Sequence, residues 1–235
     1  MQDLLDHSDW QEPLKSRAAR KIARASQGHF VVSLTYGDEV DGCGQVITFE
    51  SLLEYRTAIC LLYRPDLGSL REQVGPFLWR APWNTSEKPN KHWLDLLYTD
   101  KYGYRTAFVI KNFRAARRER FREGLEALCS YLVPHHADQL CLVTERSICR
   151  IELFNAEMMH GLRHADPEAD EELAARTANM TQPSTISEFM EASTLTGRVF
   201  PAVVRALRSQ SQRWDRTTKI TPTTLVWPAI LGDQP

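Results

Sequence analysis

The stretch from His92 to Asn112, HWLDLLYTDKYGYRTAFVIKN, constrains this chain more than any other. It reads as two strands joined by a short polar turn. Residues two apart on a strand share a face, so Ala107, Val109 and Lys111 project one way and Phe108 and Ile110 the other. Asp95 lies between Leu94 and Leu96 in the first strand, and the apolar run of the second ends on Lys111. Charges are rarely buried unless paired or bound to a metal. A carboxylate inside one apolar strand and a lysine at the end of the next therefore ask for a chemical reason.

The rest of the chain places this pair in an α/β setting. His29 to Tyr36 and Gln45 to Phe49 read as a hairpin around the turn GDEVDGCG. Glu50 to Tyr63 reads as a buried helix with Leu52, Tyr55, Ile59 and Leu62 on one stripe, ended by Pro65 and Gly68. On another face of that helix Glu50 and Glu54 form an i,i+4 pair of like charges, which is unfavourable unless a cation lies over it. Ser69 to Trp79 is expected as a short strand carrying Gln73, and residues 80–91 as a polar loop. Phe113 to Tyr131 reads as one helix, basic at its start and broken by Pro134. Asp138 to Glu145 reads as a further strand and Ile151 to Leu162 as a helix.

Pro13 to Ser26, with Lys15, Arg17, Arg20, Lys21 and Arg24, suits a basic helix, either solvated or laid on phosphates. The acidic run Asp166–Glu172 marks a boundary and suits a linker or a first helical turn. Beyond it, STISEFMEAS, TLTG and RVFPAVVRALRSQ read as helix, turn, helix, and SQRWDRTTKITPTTLVWP as a small ribbon: a winged-helix plan. From Arg198 to Lys219 the charges are five Arg and one Lys against Asp215 alone. Because the net charge of the whole chain is −1, any nucleic-acid contact must come from such local patches.

The five cysteines are scattered and form no CxxC pair, as expected of free thiols in a reducing compartment. The polar N-terminus does not read as a signal peptide, and no apolar run reaches the ~18 residues a membrane span needs. His160 and His164 have helical ligand spacing, but no third zinc ligand is evident.

Four short motifs in order, Ser51-Leu-Leu-Glu54, Arg71-Glu72-Gln73, Asp95 in a strand and Val109-Ile110-Lys111, resemble the N-terminal endonuclease domain of the TnsA family, within the PD-(D/E)xK nucleases. The resemblance covers about residues 28–150. It implies a restriction-endonuclease-like mixed sheet flanked by helices over residues 1–164, followed by a winged-helix-like domain over 165–235. It implies Mg²⁺, or Mn²⁺, held by Glu54, Asp95 and the Ile110 backbone carbonyl. Lys111 would act on the attacking water, and Gln73 would support the site. Arg114, Arg117, Arg118, Arg198, Arg205, Arg208, Arg213 and Lys219 are the expected DNA contacts. The implied activity is cleavage of transposon ends, in a bacterial cytoplasm, beside a DDE-type transposase and an AAA-type ATPase regulator.

Two positions depart from the family pattern: His92-Trp93-Leu94 precedes Asp95 where a Thr- or Pro-type approach is usual, and, more seriously, Val109 stands where Gln or Glu is expected. Glu119 or Glu123 on the following helix are the substitutes at hand. With the Ile110 carbonyl alone the site would work with one ligand fewer, or the same fold would be a silent DNA-binding and assembly subunit. A stand-alone repair or restriction nuclease is the remaining alternative.

Overall fold

The computed structural model describes residues 12–20, 30–37, 44–133 and 135–229. It divides into two compact units, residues 1–61 with 66–148, and residues 62–65 with 149–235. The division after Ile148 assigns the helix that follows to the second unit, earlier in the chain than the acidic run.

The first unit is built on a mixed four-stranded sheet flanked by helices. Strands β1 (Val32–Tyr36) and β2 (Gln45–Phe49) form a separate antiparallel pair, followed by α1 (Leu52–Leu62). The main sheet has the order β3-β4-β5-β6: β3 (Leu67–Trp79), β4 (Asn90–Asp100), β5 (Arg105–Ile110) and β6 (Gln139–Val143). The first three are antiparallel neighbours, and β6 runs parallel to β5. A parallel neighbour requires a crossover, which α2 (Phe113–Ala116) and α3 (Glu119–Leu132) supply.

Strand β3 matches the strand expected over Ser69 to Trp79 and begins two residues earlier, at Leu67. Gly75 and Pro76 interrupt its alternation, yet the strand continues to Trp79 through a register shift between Val74 and Phe77. Gly75 adopts φ +147°, and a Cβ there would stand 2.8 Å from the His92 carbonyl oxygen. Only glycine fits that bulge. The helix expected from Phe113 breaks in two at Arg117–Arg118. Asn112 caps the first piece through its side chain, which accepts from Ala115 N–H at 2.8 Å.

Leu94, Ala107 and Val109 from the sheet, with Leu128 and Leu132 from α3 and with Ala137, form one core cluster. On β5 the alternate residue Ile110 is buried as well, so both faces of the sheet are covered. Leu52 does not join the buried stripe expected of α1: it is exposed, and the buried run is Thr57 to Tyr63. The basic helix expected at 13–26 does not begin. Residues 12–20 lie as an irregular strap, bridged in parallel at Leu14 to Gln45, and 21–26 lie outside the described residues.

The second unit holds α4 (Arg150–Gly161), α5 (Pro167–Ala178), α6 (Ile186–Glu191) and α7 (Val199–Arg208). With them is a three-stranded sheet of order β7-β9-β8: β7 (Ser184–Thr185), β8 (Gln212–Arg213) and β9 (Leu225–Pro228). The acidic run starts α5, with the Asp166 side chain accepting from Ala169 N–H and Pro167 in the first turn. Thr185 and Glu188 close a capping box on α6. Val199, Ala202, Val203 and Leu207 give α7 its buried stripe, completed by Ile186, Phe189, Ile220 and Val226 in the same unit's core. Asn155 is buried with both ends of its amide bonded: its Nδ2 donates to Thr218 O at 2.9 Å, and its Oδ1 accepts from Ile220 N–H at 2.9 Å. No helix among the described residues is long and apolar enough to cross a membrane.

Candidate active site

Asp95 holds its position through the backbone of the neighbouring strand. The β4–β5 ladder ends at Leu96 opposite Phe108. One rung on, the strands part, and the Asp95 carboxylate accepts Ile110 N–H at 2.7 Å. The side chain thus replaces a missing ladder acceptor. Burial is the main cause that pushes its carboxyl up to about 7, and the nearby Glu54 charge adds to it, while Lys111 and Arg20 oppose the shift.

Glu54 comes from the first turn of α1 and is 8% exposed. Its Oε1 accepts from Ser51 Oγ at 2.9 Å, its Oε2 from Glu50 N–H at 3.1 Å, and its own N–H donates to Ser51 Oγ at 3.1 Å. The S-x-L-E motif is therefore also a reciprocal helix cap. Burial raises the Glu54 carboxyl above the ordinary carboxylate range, with Glu50 adding to it. Glu54 and Asp95 thus come from a helix and a strand, and the Glu54 charge reaches Asp95. Lys111 lies just past β5, exposed, with its backbone N–H bonded to Val143 O at 2.9 Å.

The cation expected over Glu50 and Glu54 is present, and it is Arg20 on the strap. It donates to the Glu50 carboxylate, and its Nε donates to Gln73 Oε1 at 2.7 Å. Its guanidinium carbon lies 5.9 Å from the Trp93 ring centre. Ser16 Oγ donates to Glu72, and Ala19 N–H donates to Gln73 O at 3.1 Å. Gln73 is 1% exposed with φ +48°, a left-handed conformation that costs a non-glycine residue of order 1 kcal/mol. His92 beside it is held neutral, its pKa lowered to about 4 by burial and by the Arg20 and Lys111 charges.

Val109 is 5% exposed and belongs to the core cluster. Glu119 and Glu123 are exposed on α3. Among the described residues no three Asp, Glu, His or Cys come together as a metal-binding group, and His160 Nδ1 instead bonds Tyr63 Oη at 2.9 Å.

The expected DNA-contact arginines divide by unit. Arg114, Arg117 and Arg118 are exposed and, with Phe113, line an open pocket of about 360 Å³. Arg146 stacks on Phe113, 3.6 Å from its ring centre. In the second unit Arg198 is bound by Asp166 at 2.6 Å and Glu168 at 2.7 Å, and Arg205 by Asp170 at 2.7 Å. Arg208 lies over Tyr63 and Lys219 over Phe154, and Arg213 sits in β8.

Sequence reasoning reached Glu54, Asp95, Lys111 and Gln73 but missed Arg20 as their neighbour. The one signal available was the like-charged pair Glu50 and Glu54, which called for a cation without saying which. No protein-family model matches the chain, and no curated protein matches it.

Proposed function

We propose that this protein is a metal-dependent DNA endonuclease with a restriction-endonuclease-like first unit and a winged-helix-like second one. By the resemblance of its motifs, it acts as a TnsA-like nuclease at transposon ends, beside a DDE-type transposase and an AAA-type ATPase regulator. The observation that carries this reading is a pair of buried carboxylates from different elements, Glu54 held by Ser51 and the Glu50 N–H and Asp95 by the Ile110 N–H, with the Glu54 and Lys111 charges both reaching Asp95. Two carboxylates and a backbone carbonyl fit Mg²⁺, which takes few protein oxygens and keeps several waters. Glu54, Asp95 and the Ile110 carbonyl would hold it, and the ion would supply a polarised water and charge neutralisation at a phosphate. Asp95 is already oriented by Ile110 N–H, and Glu54 by Ser51 and Glu50 N–H. Both carboxylates are therefore positioned before any ligand arrives. Lys111, free of a folding role among the described residues, is available to the attacking water or the phosphate.

Cleavage of a transposon-end duplex in Mg²⁺ or Mn²⁺ with the partner transposase tests the reading. Asp95→Ala should reduce cleavage by more than a hundredfold, on the order of removing a residue central to catalysis. An Asp95→Ala protein that cuts like the parent would sink it.

A second reading has its own observation: Val109 is packed in the core, so the site has one side-chain oxygen ligand fewer than the family pattern. On that reading the chain is a silent DNA-binding subunit. Calorimetric titration with Mn²⁺ separates the two, because the silent subunit binds no divalent ion under the control of Asp95.

A further inference from the structure

The strap and the strand beneath it leave buried hydrogen-bond donors without acceptors. Arginine only donates, so the Arg20 bond to Gln73 fixes which end of the amide is oxygen. Among the described residues the Gln73 Nε2 group is then left buried with no partner, and so is the Trp93 indole Nε1 under the same guanidinium. Native proteins rarely leave such groups unsatisfied. A strained, nearly fully buried glutamine that keeps an orphan donor beside two carboxylates points to a ligand that accepts hydrogen bonds.

That ligand must also suit a cation. Arg20 is held by the Glu50 carboxylate, but its side chain is 34% exposed and can be approached from solvent. Lys111 adds a second positive charge within range of the same strand. Orphan donors and cations together define an oxyanion site, because planar guanidinium groups match phosphate oxygens in a bidentate fork. The strap that carries Arg20 is bonded to neighbouring strands at Leu14 and Lys15 through Gln45, at Ser16 to Glu72, at Ala19 to Gln73, and through the arginine itself.

We propose that Arg20 and Gln73 form a phosphate-oxygen subsite for a phosphodiester of the bound DNA strand, in which Arg20 exchanges Glu50 for the phosphate. The proposal deepens the nuclease reading and rests on it. Glu50 acts here as an internal competitor that holds Arg20 in readiness. Gln73 Nε2 gains its acceptor when Arg20 moves toward the phosphate. A guanidinium that serves only to fasten the strap has the opposite relation to Glu50, since removing the carboxylate would loosen it.

The test is the affinity of the full chain for a fluorescein-labelled DNA duplex, measured by anisotropy in EDTA over a series of salt concentrations. Arg20→Ala should weaken binding about tenfold at low salt and lower the slope of log affinity against log salt by about one, the signature of one lost phosphate contact. Glu50→Gln should strengthen binding several-fold by freeing Arg20, and Arg20→Lys should restore part of what Arg20→Ala loses. If Arg20→Ala fails to fold, the Glu50→Gln arm decides alone. Unchanged or weaker binding by Glu50→Gln overturns the subsite while leaving the nuclease reading intact. Failure of the parent chain to bind duplex overturns both.

Discussion

The two units differ in how they leave their candidate ligand-binding charges. In the second unit, acids and arginines neutralise each other: Asp166, Glu168 and Asp170 on and before α5 hold Arg198 and Arg205. In the first, Arg20 pairs with Glu50 and Arg105 with Asp138, but Glu54, Asp95 and the arginines around the Phe113 pocket have no ion pair among the described residues. Glu54 and Asp95 gather on one side of the β4–β5 fork without a bonded cation. Arg114, Arg117 and Arg118 gather around the pocket beyond Lys111 with no ion pair among the described residues. The carboxyl groups register the difference. Burial drives Asp95 up to about 7, whereas the hydrogen bonds from Arg198 hold Asp166 down to about 2. Paired charges are consumed by the fold, and separated charges stay available to a ligand.

The sharpest test of that contrast is on binding. Replacing Arg114, Arg117 and Arg118 together by Ala should weaken DNA affinity about a hundredfold at low salt and lower the salt slope by about three. Arg198→Ala, by contrast, should change the slope by less than one. Equal effects from both sets, measured by anisotropy, would erase the distinction between the units.

Stability gives the next effect in size, with the ranking reversed. Arg205 has a side chain only 13% exposed against Asp170, so Arg205→Ala should cost about 2 kcal/mol in urea unfolding. Arg114→Ala, on an exposed side chain, should stay within about 0.5 kcal/mol of the parent.

Smaller effects follow from pH. The folded carboxyl of Asp95 lies above its unfolded value of 3.8, so the fold binds the proton more tightly than the unfolded chain does. The metal-free protein therefore loses stability as pH rises from that value through about 7. Asp95→Asn should raise the melting temperature by a few degrees above about pH 7 and leave it little changed near pH 4, read by differential scanning fluorimetry in EDTA. Asp166 carries the opposite sign. Its folded value is depressed, so its contribution is present above 3.8 and lost as pH falls through about 2. Asp166→Asn should move the acid-unfolding midpoint slightly upward, followed by far-UV circular dichroism, with a smaller change than Asp95→Asn makes above neutrality.

Much of this architecture was legible in the chain. Alternation exposed β4 and β5, turn residues set their hairpin, and the acidic run from Asp166 left a linker or a helix start open, of which the structure shows the helix start. Long-range effects were not legible. Gly75-Pro76 falls inside the expected strand, but the bulge that carries β3 through it depends on pairing with the neighbouring strand. The basic residues of 13–26 suggest a helix, yet the described part is held extended by bonds to Gln45, Glu72 and Gln73 that no local propensity encodes. The candidate site shows the same division. Glu54, Asp95 and Lys111 stand at readable positions on their own elements, while Arg20 reaches them from a segment distant in sequence. Ser51 and Glu54 carry a second meaning as well, since S-x-x-E is also how a helix begins.

The bond from Ile110 N–H to the Asp95 carboxylate has a consequence for descent. A side chain that closes the end of a strand ladder is needed whether or not its chemistry is used. On the proposed nuclease reading, a relative without cleavage activity would still keep an acid or amide at position 95, because losing it would orphan a backbone donor. Lys111 has no such second employment among the described residues and would be free to drift. In a set of related chains, the lysine would therefore distinguish working enzymes from retired ones better than the aspartate beside it.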